Sequence, residues 1–171
     1  AEIVRGVAEI RPVAGRMNPL RGFNDSVILD DTYNSQPIAA MAALLTLYNL
    51  GGDDEQTKRH QQRIAIFGSM NELGNFSQAA HEQVGAYCDP EYLDAVLTFG
   101  EDANNYLATA AEKNGCVVKR FGSAIEAGEF ARKIIEPHGI VLVKGSQNGV
   151  FAERATELLL ADSDDKKLLV R

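Results

Sequence analysis

The chain has 171 residues, 45% of them hydrophobic and 24% charged, which is one folded globular domain's worth of sequence. Its formal charge of −7 (17 Lys and Arg against 24 Asp and Glu), with the basic residues scattered, excludes a nucleic-acid surface built on clustered phosphate contacts. No apolar run approaches the roughly 20 residues that span a bilayer, and two distant cysteines, Cys88 and Cys116, make neither a metal pair nor a disulfide framework and read as reduced core thiols.

In chain order, "AEIVRGVAEI" alternates charge with apolar residues and does not read as a signal peptide. Residues 1–14 read as a helix end and a connector punctuated by Pro12, so the chain is expected to begin with the tail of a preceding domain. The stretch "GRMNPLRGFND" (Gly15–Asp25) suits an edge strand and a turn. After it, five short runs rich in Val and Ile read as strands covered on both faces: Ser26–Asp31, Arg63–Gly68, Asp94–Gly100, Cys116–Phe121 and Ile140–Gly145.

Helices are expected between them. Pro37, with Ser35 before it, opens one, because proline early in a helix gives up no needed N–H. Ser77 is placed to cap a second, running to Tyr87. A third runs from Asp102 to Asn114, closed by Gly115. "SAIE" (Ser123–Glu126) is a capping box. A last helix is expected from about Gly149 to Leu160, and "DSDDKKLLVR" after it reads as a frayed end or a short terminal strand. Gly51–Gln62 is polar without periodicity and reads as a solvated loop. The alternation implies an α/β fold: a Rossmann-like three-layer sandwich around a mostly parallel sheet of about six strands with one antiparallel edge strand.

In such sheets ligands bind beyond the carboxyl ends of the strands. Those ends are Asp30–Asn34, Gly68–Gly74, Gly100–Asp102 and Lys144–Gly149, and all but the third are richer in polar and glycine residues than a plain turn requires. Each has a bland counterpart. Asp30 and Asp31 can end a strand and favour a helix N-terminus, Asn34 and Ser35 can act as caps alone, and Lys144 can snorkel at a strand end. No stretch matches the Walker pattern. His60, His81 and His138 lack zinc-helix spacing and are expected to be exposed, and no metal site is expected. Spacing alone leaves open whether the rim catalyses, binds or merely terminates strands.

Together, "GRMN" (Gly15–Asn18), "DDTYNSQP" (Asp30–Pro37), "GSMNELG" (Gly68–Gly74) followed by His81, and "LVKGS" (Leu142–Ser146) resemble the C-terminal domain of the Mur ligase family. The match runs in order from about Gly15 to Leu160. Within the family it is most similar to the ligases that add D-Ala-D-Ala to a UDP-N-acetylmuramoyl tripeptide in peptidoglycan synthesis. The resemblance implies a cytoplasmic, ATP-dependent three-domain enzyme: residues 1–14 would end the central ATPase domain and residues 15–171 would form the C-terminal domain. The central domain would carry the Walker loop, most of the ATP site and the Mg2+ ligands, so the fragment alone is expected to be inactive.

The resemblance also implies roles residue by residue. Arg16 would reach the ATP γ-phosphate and act catalytically. Asp31 would accept from the ribose, and Tyr33 and Asn34 would lie near the nucleotide. Asn34, Asn71, Glu72, Lys144 and Ser146 would meet the incoming dipeptide, Asp30 being structural or hinge-related. Ser69 stands where the family usually has an acid, and Gln147 where it usually has an arginine. A stand-alone α/β module for a nucleotide or amino acid, and a related amide ligase of the folylpolyglutamate or cyanophycin type, are the alternatives.

Overall fold

The computed structural model describes residues 12–50 and 61–170. The expected helix end at the amino terminus, the loop at Gly51–Gln62 (apart from Gln61 and Gln62) and His60 fall outside the described residues.

Six strands, β1 (Asn18–Arg21), β2 (Val27–Asp31), β3 (Arg63–Gly68), β4 (Ala95–Phe99), β5 (Val118–Phe121) and β6 (Ile140–Lys144), form one sheet in the order β1-β2-β6-β3-β4-β5. β1 runs antiparallel to β2, returned by the turn that begins at Gly22, and the remaining neighbours are parallel. The expected edge strand and sheet are therefore present. Alternation along each strand sends residues to opposite faces. Ile28, Ile64, Ile66, Val141 and Val143 belong to one core, and Leu29, Ala65, Phe67 and Leu142 to the other.

The chain steps from β2 to β3, β4 and β5 in one direction, then reverses to slot β6 between β2 and β3. A reversal under right-handed crossovers moves the connecting helix to the other face. Accordingly α1 (Pro37–Asn49), α2 (Ser77–Tyr87) and α3 (Ala108–Lys113) contribute Leu44, Leu47, Val84 and Ala111 to the second core, while α4 (Ala124–Ile134) and α5 (Glu153–Leu159) contribute Ala127, Ala131, Ala155 and Leu159 to the first.

Local expectations fare unevenly. Pro37 occupies the first turn of α1, and Gly115 ends the third helical segment at φ +97°. The capping box forms in half: Ser123 Oγ accepts from the Glu126 N–H at 3.2 Å, but the Glu126 carboxylate accepts at 2.8 Å from the N–H of Gly122, one residue before the cap, instead of from that of Ser123. Ser77 does not cap α2, because its hydroxyl donates to the Asp102 carboxylate. The third helix opens with a π-helical turn, Ala103–Leu107, where Asn104 bridges strands: its Oδ1 accepts from Thr98 Oγ1 at 2.7 Å and its Nδ2 donates to the Phe121 carbonyl at 2.9 Å.

The last helix starts only at Glu153, since Asn148, Gly149 and Phe151 all adopt positive φ and cannot begin one. The tail is neither frayed nor a strand. Asp162 accepts from the Asp164 N–H at 2.9 Å to open a 3-10 turn at Ser163–Leu168, and Leu169 buries in the core. β5 is half exposed rather than covered on both faces, as befits an edge. Cys88 and Cys116 are unbonded and buried, which raises both thiols, Cys116 to about 11.

Candidate functional site at the carboxyl rim of the sheet

The two acids that end β2 are spent in different ways. Asp30, fully buried, accepts from the Gly15 N–H at 3.0 Å, Thr32 Oγ1 at 2.8 Å and Thr156 Oγ1 at 3.1 Å. Burial pushes its carboxyl above the usual range, against the pull of those three donors. Asp31 accepts from the Met17 N–H at 3.1 Å and from Lys144 Nζ at 2.6 Å. The adjacent carboxylates thus hold the start of the domain, Gly15–Met17, against the sheet. At Gly15, φ is +67° and a Cβ would lie 2.8 Å from the Tyr33 amide nitrogen, so only glycine fits.

Lys144 is 1% exposed, and its ammonium also donates to the Asn34 carbonyl at 3.0 Å. Burial pulls its pKa down and the Asp31 charge pulls it back. The ion pair thereby joins the ends of β2 and β6 to the turn before α1. Arg16 is exposed, its guanidinium 4.2 Å from the centre of the Tyr33 ring. Arg16, Met17, Asp31 and small residues of α1 line a shallow hollow of about 320 Å³.

Next to it, the loops after β3 and β6 are laced together. The Asn71 N–H donates to Ser146 Oγ at 3.0 Å, and Asn71 Nδ2 donates to the carbonyls of Gln147 and Asn148 at 2.8 and 3.0 Å. Tyr33, Asn34, Asn71, Glu72 and Ser146 line one small hollow there. Gly68 lets these strand ends close up, since a Cβ on it would sit 2.5 Å from Val150 and 2.6 Å from Phe99. Among the described residues, Met17, Glu72, Asn148 and Phe151 at this rim carry positive φ without being glycine, the kind of local strain that accumulates where a site is shaped.

The sequence-derived set therefore gathers along one rim: Arg16, Asp31, Tyr33, Asn34, Asn71, Glu72, Lys144 and Ser146 all sit at the ends of β2, β3 and β6 or on the strap across them. The strand end at Gly100–Asp102, which the sequence did not single out, lines a further cavity beside this rim. A larger cleft, about 610 Å³, opens beside Asn71 and is lined by Ser69, Phe99, Glu101, Asp102, Ser123, Asn148, Phe151 and Arg154 among others. Glu101 and Asp102 follow β4, while Arg154, 5.3 Å from the Phe151 ring, belongs to α5. A sequence signal existed, the acid pair directly after a strand, but it looked like an ordinary helix start.

Ser69 accepts from the Ala103 N–H at 3.2 Å, so the hydroxyl that stands in for an acid caps the π-helical turn. The expectation that His81 is exposed is overturned: it is fully buried, Nε2 accepting from the Met70 N–H at 2.9 Å and Nδ1 lying 2.8 Å from the Ser77 carbonyl. His138 is exposed. Among the described residues no group of three or more His, Cys, Asp or Glu is placed to hold a metal ion, and no helix is long and apolar enough to cross a membrane.

Comparison with known proteins bears on the family and the fold. The UDP-N-acetylmuramoyl-tripeptide--D-alanyl-D-alanine ligase of Synechocystis sp. is 30% identical over 149 residues, 87% of this chain and 31% of that protein. The enzyme of the same name from Escherichia coli (strain K12) is 28% identical over 153 residues, 88% of this chain and 31% of that protein. The chain thus spans about a third of the length of these curated relatives. In fold it resembles the MurF ligase from Thermotoga maritima in complex with ADP, with a TM-score of 0.66 at 20% identity, covering 96% of this chain and 36% of that one. The sequence profile of the family described as "Mur ligase, glutamate ligase domain" matches residues 15–147. The chain belongs to the Mur ligase C-terminal domain family.

Proposed function

We propose that this chain is the site-closing, amine-binding domain of an ATP-dependent amide ligase that adds D-Ala-D-Ala to a UDP-N-acetylmuramoyl tripeptide in the cytoplasm. The observation that carries the reading is the convergence of the rim residues on the strap Gly15–Met17, in a chain that aligns over 87% of its length with a ligase named for that reaction. In this reading residues 1–14 end a central ATPase domain and residues 15–171 are the mobile partner that completes its site.

The chemistry divides accordingly. The tripeptide carboxylate attacks the γ-phosphorus of ATP, giving an acyl phosphate and ADP. The dipeptide amine then attacks the acyl carbon, loses a proton, and expels inorganic phosphate as the amide forms. In this reading magnesium and most phosphate contacts belong to the central domain; here Asp30 is spent on three donors of this chain, and Asp31 is held by the Met17 N–H and Lys144.

Arg16 is the exposed cation suited to phosphate oxygens, and Tyr33 stacked against it fixes its direction. Asp31 borders the same hollow and retains lone pairs for ribose hydroxyls. Lys144, buried, serves by holding Asp31 and the Asn34 carbonyl in place. Asn71, Glu72 and Ser146 border the dipeptide, whose ammonium and carboxylate complement the Glu101 and Asp102 acids and the Arg154 guanidinium of the adjoining cleft.

Phosphate release by the full-length parent, given ATP, the UDP-linked tripeptide and a panel of amines (D-Ala-D-Ala, D-Ala, glutamate, aspartate, arginine), tests this. Release with D-Ala-D-Ala far above the other amines is expected; release only with an amino acid of the folate or cyanophycin type would replace the reading. The 171-residue chain alone should release none.

A further inference from the structure

We infer that His81 is a positioning residue which, from inside the fold, sets the gap between the loops after β3 and β6 where the amine substrate is received. The inference rests on the ligase reading for its substrate and on geometry for the rest. His81 lies on α2, fully buried, and touches neither rim hollow directly.

Its tautomer is dictated by its neighbours. A backbone N–H can only donate, so Nε2, 2.9 Å from the Met70 nitrogen, must be a bare acceptor. The ring proton then resides on Nδ1 and donates to the Ser77 carbonyl at 2.8 Å. The Ser77 hydroxyl, 3.3 Å from the same Nδ1, donates to Asp102, a residue that lines the larger cleft. On the other side, Met70 precedes Asn71, whose N–H and Nδ2 hold Ser146, Gln147 and Asn148. Hydrogen bonds, joined through the backbone at Ser77 and at Met70–Asn71, therefore link Asp102 beyond β4 through His81 to the loops after β3 and β6.

Asn71 and Asn148, hydrogen-bonded to each other, are the wall shared by the larger cleft and the smaller hollow. The Asn71 side chain spends both amide protons on the β6 loop, so its placement fixes the spacing of the two loops rather than following the ligand. The next residue, Glu72, sits at φ +64°, a conformation that needs external support to persist. Asn71's bonds to the β6 loop support it from one side, and the Met70–His81 bond, two residues before it, ties the same loop to α2. Losing that acceptor would leave a buried amide unpaired, and the loop would relax to satisfy it.

The test compares the wild type with His81→Gln, whose Oε1 can still accept from Met70, and His81→Phe, which cannot. In the 171-residue chain, amide hydrogen exchange at Met70 and Asn71 should accelerate at least tenfold in His81→Phe while β3 exchanges as before, with His81→Gln recovering part of the protection. In the full-length parent, His81→Phe should raise the KM for the dipeptide severalfold with the KM for ATP unchanged, and His81→Gln should reverse that shift in part. Accelerated exchange confined to the loop supports the assignment whether or not any amine is turned over, so failure of the ligase reading is told apart from failure of this one. Unchanged exchange at Met70 in His81→Phe, or equal shifts in both KM values, would overturn it. Should His81→Phe not fold, the ring nitrogen shifts of wild-type His81 decide: a proton on Nδ1 with bare Nε2 is expected, and a proton on Nε2 refutes the arrangement.

Discussion

Asp31 and Lys144 depend on each other because both are taken out of water: removing one partner leaves the other as an uncompensated buried charge, which typically costs about 3–5 kcal/mol. Asp31→Ala and Lys144→Ala should each lower unfolding free energy in that range, and Asp31→Leu with Lys144→Met together should cost clearly less than the two single changes summed, as urea titration of the chain will show. Additive losses would mean that the pair is not coupled. Arg16 behaves differently, since its side chain is exposed and packs on the Tyr33 ring. Arg16→Ala should leave stability within about 1 kcal/mol and lower turnover of the full-length enzyme by roughly ten- to a thousandfold, the scale of one preorganised contact to developing charge. His81 carries a pH signature. Burial lowers its pKa below the ordinary 6.5, with the Ser77 carbonyl and Asp102 pulling the other way. The fold therefore prefers the neutral ring, so its contribution is full above pH 6.5 and lost as pH falls through the depressed value. Unfolding free energy measured from pH 7 downward should decline less steeply for His81→Gln than for the wild type.

At the scale of elements, local chemistry explains most of what the sequence disclosed. The Ser123 cap needs only neighbours within four residues, and its hydroxyl accepts from Glu126 as read, while the Glu126 carboxylate reaches the Gly122 N–H instead of that of Ser123. Ser123→Ala should therefore cost about 1 kcal/mol in thermal or urea unfolding. Pro37, Gly115 and the alternating strands were legible for the same reason: each obeys a rule of local geometry or period. What stayed hidden depended on tertiary partners. Ser77 looked like a cap, but Asp102, 25 residues on, takes its hydroxyl. His81 looked exposed because no zinc-helix spacing gave it a partner, and the folded loop supplies the Met70 N–H that makes burial tolerable. The last helix lost its first turn to Gly149 and Phe151, whose left-handed backbone serves the cleft rather than the helix. The site residues were legible as a set at strand ends. Their division of labour was not, because nothing local says that Lys144 faces Asp31 across 113 residues of chain.

For the whole molecule, the topology gathers the candidate site at one edge. Inserting β6 between β2 and β3 brings the Asp30–Asn34, Gly68–Gly74 and Lys144–Gly149 stretches side by side, with Gly15–Met17 strapped over them by two carboxylates. The rim is open, polar and strained, and it exposes an arginine with no anion of its own chain against it among the described contacts, an arrangement suited to a pocket finished by another domain. The most direct test is a crystal structure of the full-length parent with a non-hydrolysable ATP analogue and D-Ala-D-Ala. The account predicts the Arg16 guanidinium within hydrogen-bond distance of the γ-phosphate and the dipeptide lodged against the Asn71 wall. A nucleotide and dipeptide bound away from this rim, with Arg16 facing solvent, would contradict it.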